Sequence, residues 1–209
     1  MPFVAFEGID GSGKTTQARL LSEWLAGRGC EVVATKEPDG GRLGPAVRAV
    51  LVEPAHAGKL SALEEMLLVA AARYDHVRAV IAPALSRKAW VVCDRYVLST
   101  FAIQVFETGV DPSLFLALTS AVTDGLRPDA SIVLDLPPGD AGERRGRRPG
   151  ALLRDPTEAH RNFDRIRRGF LAAAADEPER CHVVDARGDE QETAARILKR
   201  IEPMLRNPG

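Results

Sequence analysis

The chain has 209 residues, an ordinary apolar fraction of 45% and a formal net charge of −1. That length suits one domain, or one core with a small insertion, and the near-zero charge gives no broad field for nucleic acid or a membrane surface. No apolar run is long enough to span a bilayer. The N-terminus opens on a core-like strand rather than a signal peptide. The three cysteines, Cys30, Cys93 and Cys181, are scattered and lack metal spacing. Two lie in or beside apolar runs, as small core residues do, and a reducing cytosol is the simplest compartment.

Phe3-Val4-Ala5-Phe6 reads as a first strand, Gly8-Ile9-Asp10-Gly11-Ser12-Gly13-Lys14-Thr15 follows it, and a helical pattern runs from Thr16 to Arg28. Strand, G-x-x-x-x-G-K-T loop and helix in that order predict a nucleoside triphosphate site. The glycines let successive N–H groups turn inward at an anion, and the helix adds its unpaired N–H groups and the positive end of its dipole. Gly8, Asp10, Gly11, Ser12, Gly13 and Thr16 thus belong to the loop and helix start that form this triphosphate site. Lys14 supplies a point charge for the outer phosphates, and the Thr15 hydroxyl is placed to hold Mg²⁺. Asp10 is unusual in an anion-binding loop. It must face away from the phosphates, or pair with a cation or a substrate hydroxyl.

Residues 31–35 read as a second strand, with Gly29 as the preceding helix stop, and Lys36-Glu37-Pro38-Asp39-Gly40-Gly41 as a loop. A short helix is expected over about 43–51. Ser61 with Glu64 forms a capping-box signature opening a long helix, in which Leu63, Met66, Leu67, Ala70, Tyr74, Val77 and Ile81 recur at helical spacing. Tyr74 is expected in the core, and Pro83 in the last turn. Residues 90–93 form a third strand, apolar on both faces, that ends at Asp94-Arg95-Tyr96. Helices follow around 99–106 and 112–122, then a strand at 131–136, a helix at 157–175, a strand at 181–184 and a closing helix at 190–205. Strands separated by helices imply an α/β fold, with a parallel sheet, right-handed crossovers, helices on both faces and ligands at the carboxyl ends of the strands.

Two further clusters fall at such ends. Asp94 can orient Mg²⁺ beside the glycine loop, and Arg95 can pair with a second phosphate group. Arg144, Arg145, Arg147 and Arg148 lie close together, with Arg154 beyond and Gly142, Gly146, Pro149 and Gly150 interleaved. Glycine spacing predicts a mobile loop rather than a rigid helix. A cationic flap of this kind closes over phosphates and neutralises charge in the transition state. The run carries no aromatic, which disfavours a nucleic-acid patch.

These segments resemble the thymidylate kinase family. The likeness is carried by Phe6-Glu7-Gly8 through Gln17, by Lys36-Glu37-Pro38, and by Asp94-Arg95-Tyr96 with Leu98-Ser99-Thr100 and Gln104. Leu134-Asp135-Leu136-Pro137-Pro138, the arginine flap and Asn162-Phe163-Asp164-Arg165-Ile166-Arg167 complete it. The resemblance implies a P-loop NTPase three-layer sandwich on a five-stranded parallel sheet. It implies one kinase domain over 1–209, with a lid at about 142–154, forming a cytoplasmic homodimer. ATP, Mg²⁺ and dTMP are the implied ligands. Asp10 with flap arginines looks like the bacterial arrangement, in which the flap serves the ATP phosphates and the acidic loop residue organises the acceptor side. By that likeness Lys14, Asp94, Arg95 and Arg148 are catalytic, and Thr15 and Asp94 serve the metal. Arg144 and Arg145 serve ATP, one of them stacking on adenine. Arg48 and Arg95 hold the acceptor phosphate, and Arg73 contacts the base. Asp10, Glu37, Pro38, Val69, Ser99, Thr100, Ile103 and Gln104 complete the acceptor pocket.

Three departures fall on that pocket. Val69 stands where the family commonly has a base-stacking phenylalanine, Ile103 where it usually has a tyrosine near the deoxyribose, and Lys36 begins a loop that often opens on arginine. A lost stacking platform removes roughly 1–3 kcal/mol at comparable sites. Rival readings are a kinase for another pyrimidine monophosphate, a nucleotide-binding switch without a small acceptor, and a nucleoside kinase with Glu37 recruited as base. The chain lacks a guanine-reading Asn-Lys-x-Asp segment, which counts against a GTPase switch.

Overall fold

The computed structural model describes residues 2–53, 55–147 and 160–206. Five strands make one parallel sheet: β1 (Phe3–Glu7), β2 (Val32–Lys36), β3 (Trp90–Asp94), β4 (Ala130–Asp135) and β5 (Cys181–Asp185), in the order β2-β3-β1-β4-β5. β1 and β3 are buried along their whole length, which is why they read as unbroken apolar runs. Alternate residues of β1 feed two cores. Val4 and Phe6 pack with Leu21, Leu25, Phe170 and Ile197 on one face. Phe3 and Ala5 pack with Val77, Ile81, Val91 and Tyr96 on the other. The result is a three-layer sandwich with every strand's carboxyl end on one rim.

The helices are α1 (Lys14–Ala26), α2 (Gly44–Val52), α3 (Ala62–His76), α4 (Ala82–Ser86), α5 (Val97–Thr100), α6 (Pro112–Thr123), α7 (Pro138–Gly146), α8 (Phe163–Asp176) and α9 (Glu190–Arg206). A π turn at Val77–Ile81 joins α3 to α4, and a second at Phe101–Glu107 extends α5. The expected capping box is present: Ser61 Oγ accepts from Glu64 N, and Glu64 Oε2 from Ser61 N. Pro83 lies in the last turn of the continuous helical run that ends at Ser86, as expected.

Two expectations are corrected. Tyr74 is 47% exposed, as are Leu63 at 41% and Leu67 at 49%. The inward side of α3 instead buries Glu65, Met66, Ala70, Arg73, Asp75 and His76. Helical periodicity finds an apolar stripe but does not say what covers it, and the polar side of α3 is the one that lies over the strand ends. The arginine segment is also misread. Residues 142–146 are helical, in the last turns of α7, despite Gly142 and Gly146. The buried Ala141 anchors this helix against the glycine loop, and packing of that kind overrides weak helix propensity. Arg148, Arg154 and the rest of the expected lid beyond residue 147 lie outside the described residues. The helix expected from 157 begins at Phe163, where the Asn162 side chain accepts from Arg165 N and caps it.

Candidate active site

The glycine loop leaves β1 and enters α1 with Gly8, Gly11 and Gly13 all at positive φ. Gly11 has a second reason to be glycine: a Cβ there would collide with the Ala141 carbonyl, so a bare backbone lets α7 press onto the loop. Lys14 is buried and its ammonium donates to the Ile9 carbonyl at 2.8 Å, crossing the mouth of the loop. Burial and the nearby Arg95 guanidinium pull its pKa down to about 8, against the opposing pull of Asp10, Asp94 and Glu7. Thr15 Oγ1 donates to Asp94 Oδ2 at 2.5 Å. The other Asp94 oxygen, Oδ1, is buried with no hydrogen-bond partner among the described residues, as is Ser12 Oγ.

Arg95 follows β3 with φ at +73°. A left-handed backbone is uncommon for a long side chain and typical of functional sites. Its guanidinium donates to Asp10 Oδ1, to Ser99 Oγ at 3.0 Å and to the Gly8 carbonyl at 3.4 Å. Asp10 therefore pairs with a cation, the alternative open from sequence, and Lys14 Nζ lies 3.7 Å from the same oxygen. Partial burial raises the Asp10 carboxyl, but Arg95 and Lys14 outweigh it and hold the group well below the usual carboxylate range. Beneath them Glu7, fully buried, accepts from Tyr96 N at 2.9 Å and Ser99 Oγ at 2.6 Å. Burial pushes its carboxyl up.

The opposite wall is built on α3. Arg73, only 2% exposed, donates from Nε to Glu37 Oε2 at 2.8 Å, and from Nη2 to the Tyr96 carbonyl and Thr100 Oγ1, each at 3.0 Å. Glu37 follows β2, with a cis bond to Pro38. Gln104 Nε2 donates to Glu65 Oε2 at 2.9 Å, and Arg161 pairs with the same carboxylate. Val69 lies one turn before Arg73 and is half-buried, as are Arg48 on α2 and Ile103, which packs at the edge of the larger core. Ser99, Thr100 and Gln104 are thus engaged internally, by Arg95 and Glu7, by Arg73 and by Glu65.

Two arginines of α7 lie beside the glycine loop. Arg144 Nη2 donates to the Ala186 and Gly188 carbonyls, both at 2.9 Å, on the β5–α9 side. Arg145 donates to the Asp10 carbonyl, and its guanidinium lies 4.4 Å from the centre of the Phe163 ring. Consecutive arginines therefore reach two different loops, Arg144 the one between β5 and α9 and Arg145 the glycine loop at Asp10. Sequence reading gave no role to Glu7, His76 or Phe163. Glu7 carried a signal: a carboxylate ending a fully apolar strand beside the glycines has to be paired or protonated.

The model of the family described as "Thymidylate kinase" matches residues 6–197. A thymidylate kinase from Pelotomaculum thermopropionicum is 41% identical over 203 residues, covering 97% of this chain and 94% of the relative. One from Chromohalobacter salexigens is 40% identical over 205 residues, covering 97% and 96%. The crystal structure of thymidylate kinase from Ehrlichia chaffeensis superposes with a TM-score of 0.77 at 33% identity, covering 96% of this chain and 98% of the other. A match of that extent, on a chain whose glycine loop, Asp94-Arg95 pair and α7 arginines meet on one rim, places the protein in the thymidylate kinase family.

Proposed function

We propose that the protein transfers the γ-phosphoryl group of ATP to the phosphate of dTMP, forming dTDP. The observation that carries this reading is the single rim that holds Lys14, the Asp10–Arg95 pair and the buried Arg73–Glu37 pair. A triphosphate on the glycine loop and a monophosphate beside Arg95 then share one mouth. The acceptor phosphate is already ionised and needs no general base, so catalysis is positioning plus charge neutralisation. Lys14 and Arg145 act on the transferred phosphoryl group. Arg95 and Arg48 draw in the acceptor against charge repulsion, and Arg73 meets its base. Arg144 serves the nucleoside end of ATP, and Arg148 joins the lid set.

Thr15 and Asp94 fit Mg²⁺. Both offer hard oxygen donors, and Asp94 Oδ1 is a buried acceptor in want of a partner. When bound with ATP, Mg²⁺ supplies a positive charge that neutralises the phosphate oxygens. The exposed Leu63, Leu67 and Tyr74 of α3 lie on the helix that packs against α6, whose Leu114 and Leu116 are also exposed. Exposed apolar side chains on two helices that pack together support a homodimer of single-domain subunits. No helix among the described residues is long and apolar enough to cross a membrane, and a cytoplasmic enzyme is the simplest reading with three free cysteines. A panel of deoxy- and ribonucleoside monophosphates and nucleosides with ATP tests the acceptor. dTMP should lead it. Another pyrimidine monophosphate ranking well above dTMP would overturn the choice, as would nucleoside phosphorylation or ATP hydrolysis indifferent to any acceptor.

A further inference from the structure

We propose that His76 is a positioning residue for the acceptor side: its ring holds Glu37 so that Arg73 is presented in one orientation. This rests on the reading of Arg73 as an acceptor ligand. Arg73 and His76 are three apart on α3 and so share a face. They grip the two oxygens of one carboxylate. Arg73 takes Glu37 Oε2, and His76 Nδ1 lies 3.2 Å from Glu37 Oε1. Only an N–H can meet a carboxylate oxygen there, so Nδ1 carries the hydrogen, and in the neutral ring Nε2 accepts from Thr35 Oγ1 at 2.7 Å.

The ring has no freedom to leave. His76 is fully buried, and the Gly40 backbone passes so close that a Cβ would collide with the imidazole. The next residue back fastens the same loop: Asp75 accepts from Arg42 N and, at 3.1 Å, from Leu43 N. Arg73 faces Glu37 Oε2 with both Nε at 2.8 Å and Nη2 at 2.7 Å, and Nη2 also donates to Tyr96 and Thr100, whereas Nη1 makes no hydrogen bond among the described residues. A fixed Glu37 is therefore what leaves that one N–H edge available to a ligand. Without His76, Oε1 loses its partner and the carboxylate is free to rotate away from Arg73.

Steady-state kinetics with ATP and dTMP on His76→Gln, His76→Asn and Thr35→Val test this. Asparagine can place a donor near the Nδ1 position. Glutamine reaches only toward Nε2. His76→Gln should raise the KM for dTMP about tenfold, the scale of one charge-assisted hydrogen bond, with the KM for ATP within about twofold of the parent. His76→Asn should restore the dTMP KM to within about threefold, and Thr35→Val should fall between. The ATP KM from the same preparation reports a folded donor site, and Thr35→Val stands in should His76→Gln not fold. An unchanged dTMP KM in the glutamine or valine variant, an equal rise in both KM values, or no rescue by asparagine overturns the proposal. Arg73→Gln separates the two levels. If it leaves the dTMP KM unchanged, the acceptor reading fails and the proposal with it. If it raises the dTMP KM while His76→Gln does not, only the positioning role fails.

Discussion

Arg95 donates to the Asp10 carboxylate across the mouth of the glycine loop, so the guanidinium proposed to meet the acceptor phosphate is held by an acid from the loop itself. The pair is partly solvated, with Asp10 39% exposed, which lowers its worth for stability. On the proposed function its role is geometric: it keeps Arg95 beside Gly8 and Ser99 before the acceptor arrives. Asp10→Ala should leave thermal stability within about 1 kcal/mol of the parent. It should raise the KM for dTMP about tenfold and lower kcat, since a misplaced cation costs transition-state stabilisation. Kinetics unchanged in both substrates would remove Asp10 from the acceptor side.

Thr15 and Asp94 make a separate prediction. Asp94→Asn keeps the shape, removes one negative charge and leaves Thr15 a hydrogen-bond partner. It should raise the Mg²⁺ concentration for half-maximal rate by about 10–100-fold. Chelation of Mg²⁺ should abolish turnover by the parent while leaving the circular dichroism spectrum unchanged. A Mg²⁺ titration that superimposes on the parent's would show that the metal is held elsewhere.

How far these residues could be read in advance differs by type. The glycine loop and Asp94-Arg95 are legible because a backbone turn and a strand end impose their spacing locally. The parallel sheet follows from alternation, but the order β2-β3-β1-β4-β5 rests on contacts between distant segments. The Thr35–His76–Glu37–Arg73 chain joins a strand, its loop and a helix, with His76 39 residues from Glu37, so no local pattern marks it. Periodicity placed Met66, Ala70, Val77 and Ile81 correctly in the core and misplaced Leu63, Leu67 and Tyr74. Leu67 and Tyr74 lie outward because the inward side is given to Arg73, Asp75 and His76. Glycines in α7 suggested a loop, yet Gly11 on the other side of the contact allows a helix to seat there.

The outward stripe of α3 is testable by a single charge. Leu67→Glu adds a carboxylate to an already exposed position, 49% accessible in the single chain, so the fold has little to lose. If that face joins two subunits, sedimentation should show the parent at twice the chain mass and Leu67→Glu at the chain mass in the same buffer. A parent that sediments as a monomer, or a variant that remains dimeric, removes α3 from the interface.

Gly11→Ala probes the seat of α7. The residue has φ at +90° and no room for a Cβ against the Ala141 carbonyl, so strain and collision act together. A loss of about 2–4 kcal/mol in unfolding free energy is expected, larger than a glycine-to-alanine change at an open site. The KM for ATP should rise as well, because α7 carries Arg144 and Arg145. Loss of stability at unchanged ATP KM would separate the seat of α7 from donor binding.

Lys14 makes the loop sensitive to pH. Burial and Arg95 bring its ammonium down to about 8, whereas a triphosphate bound beside it favours the charged form. At about pH 8.5 the free protein has lost much of that proton and binding restores it, so ATP binding should take up a fraction of a proton. Calorimetry in buffers of different ionisation heat measures the uptake directly. ATP affinity should fall as pH rises above about 8, by up to about tenfold per unit. For folding the sign is opposite. Between about pH 8 and the ordinary lysine value of 10.5 the unfolded chain binds the extra proton, so this group's cost is fully present below 8 and is relieved as pH rises through that window. Lys14→Met should accordingly abolish turnover, by at least about a thousandfold, and hold or raise the melting temperature at neutral pH, since a buried ammonium is replaced by an apolar chain of similar length. A Lys14→Met variant that turned over at the parental rate, or proton uptake absent at high pH in the parent, would take Lys14 away from the phosphates.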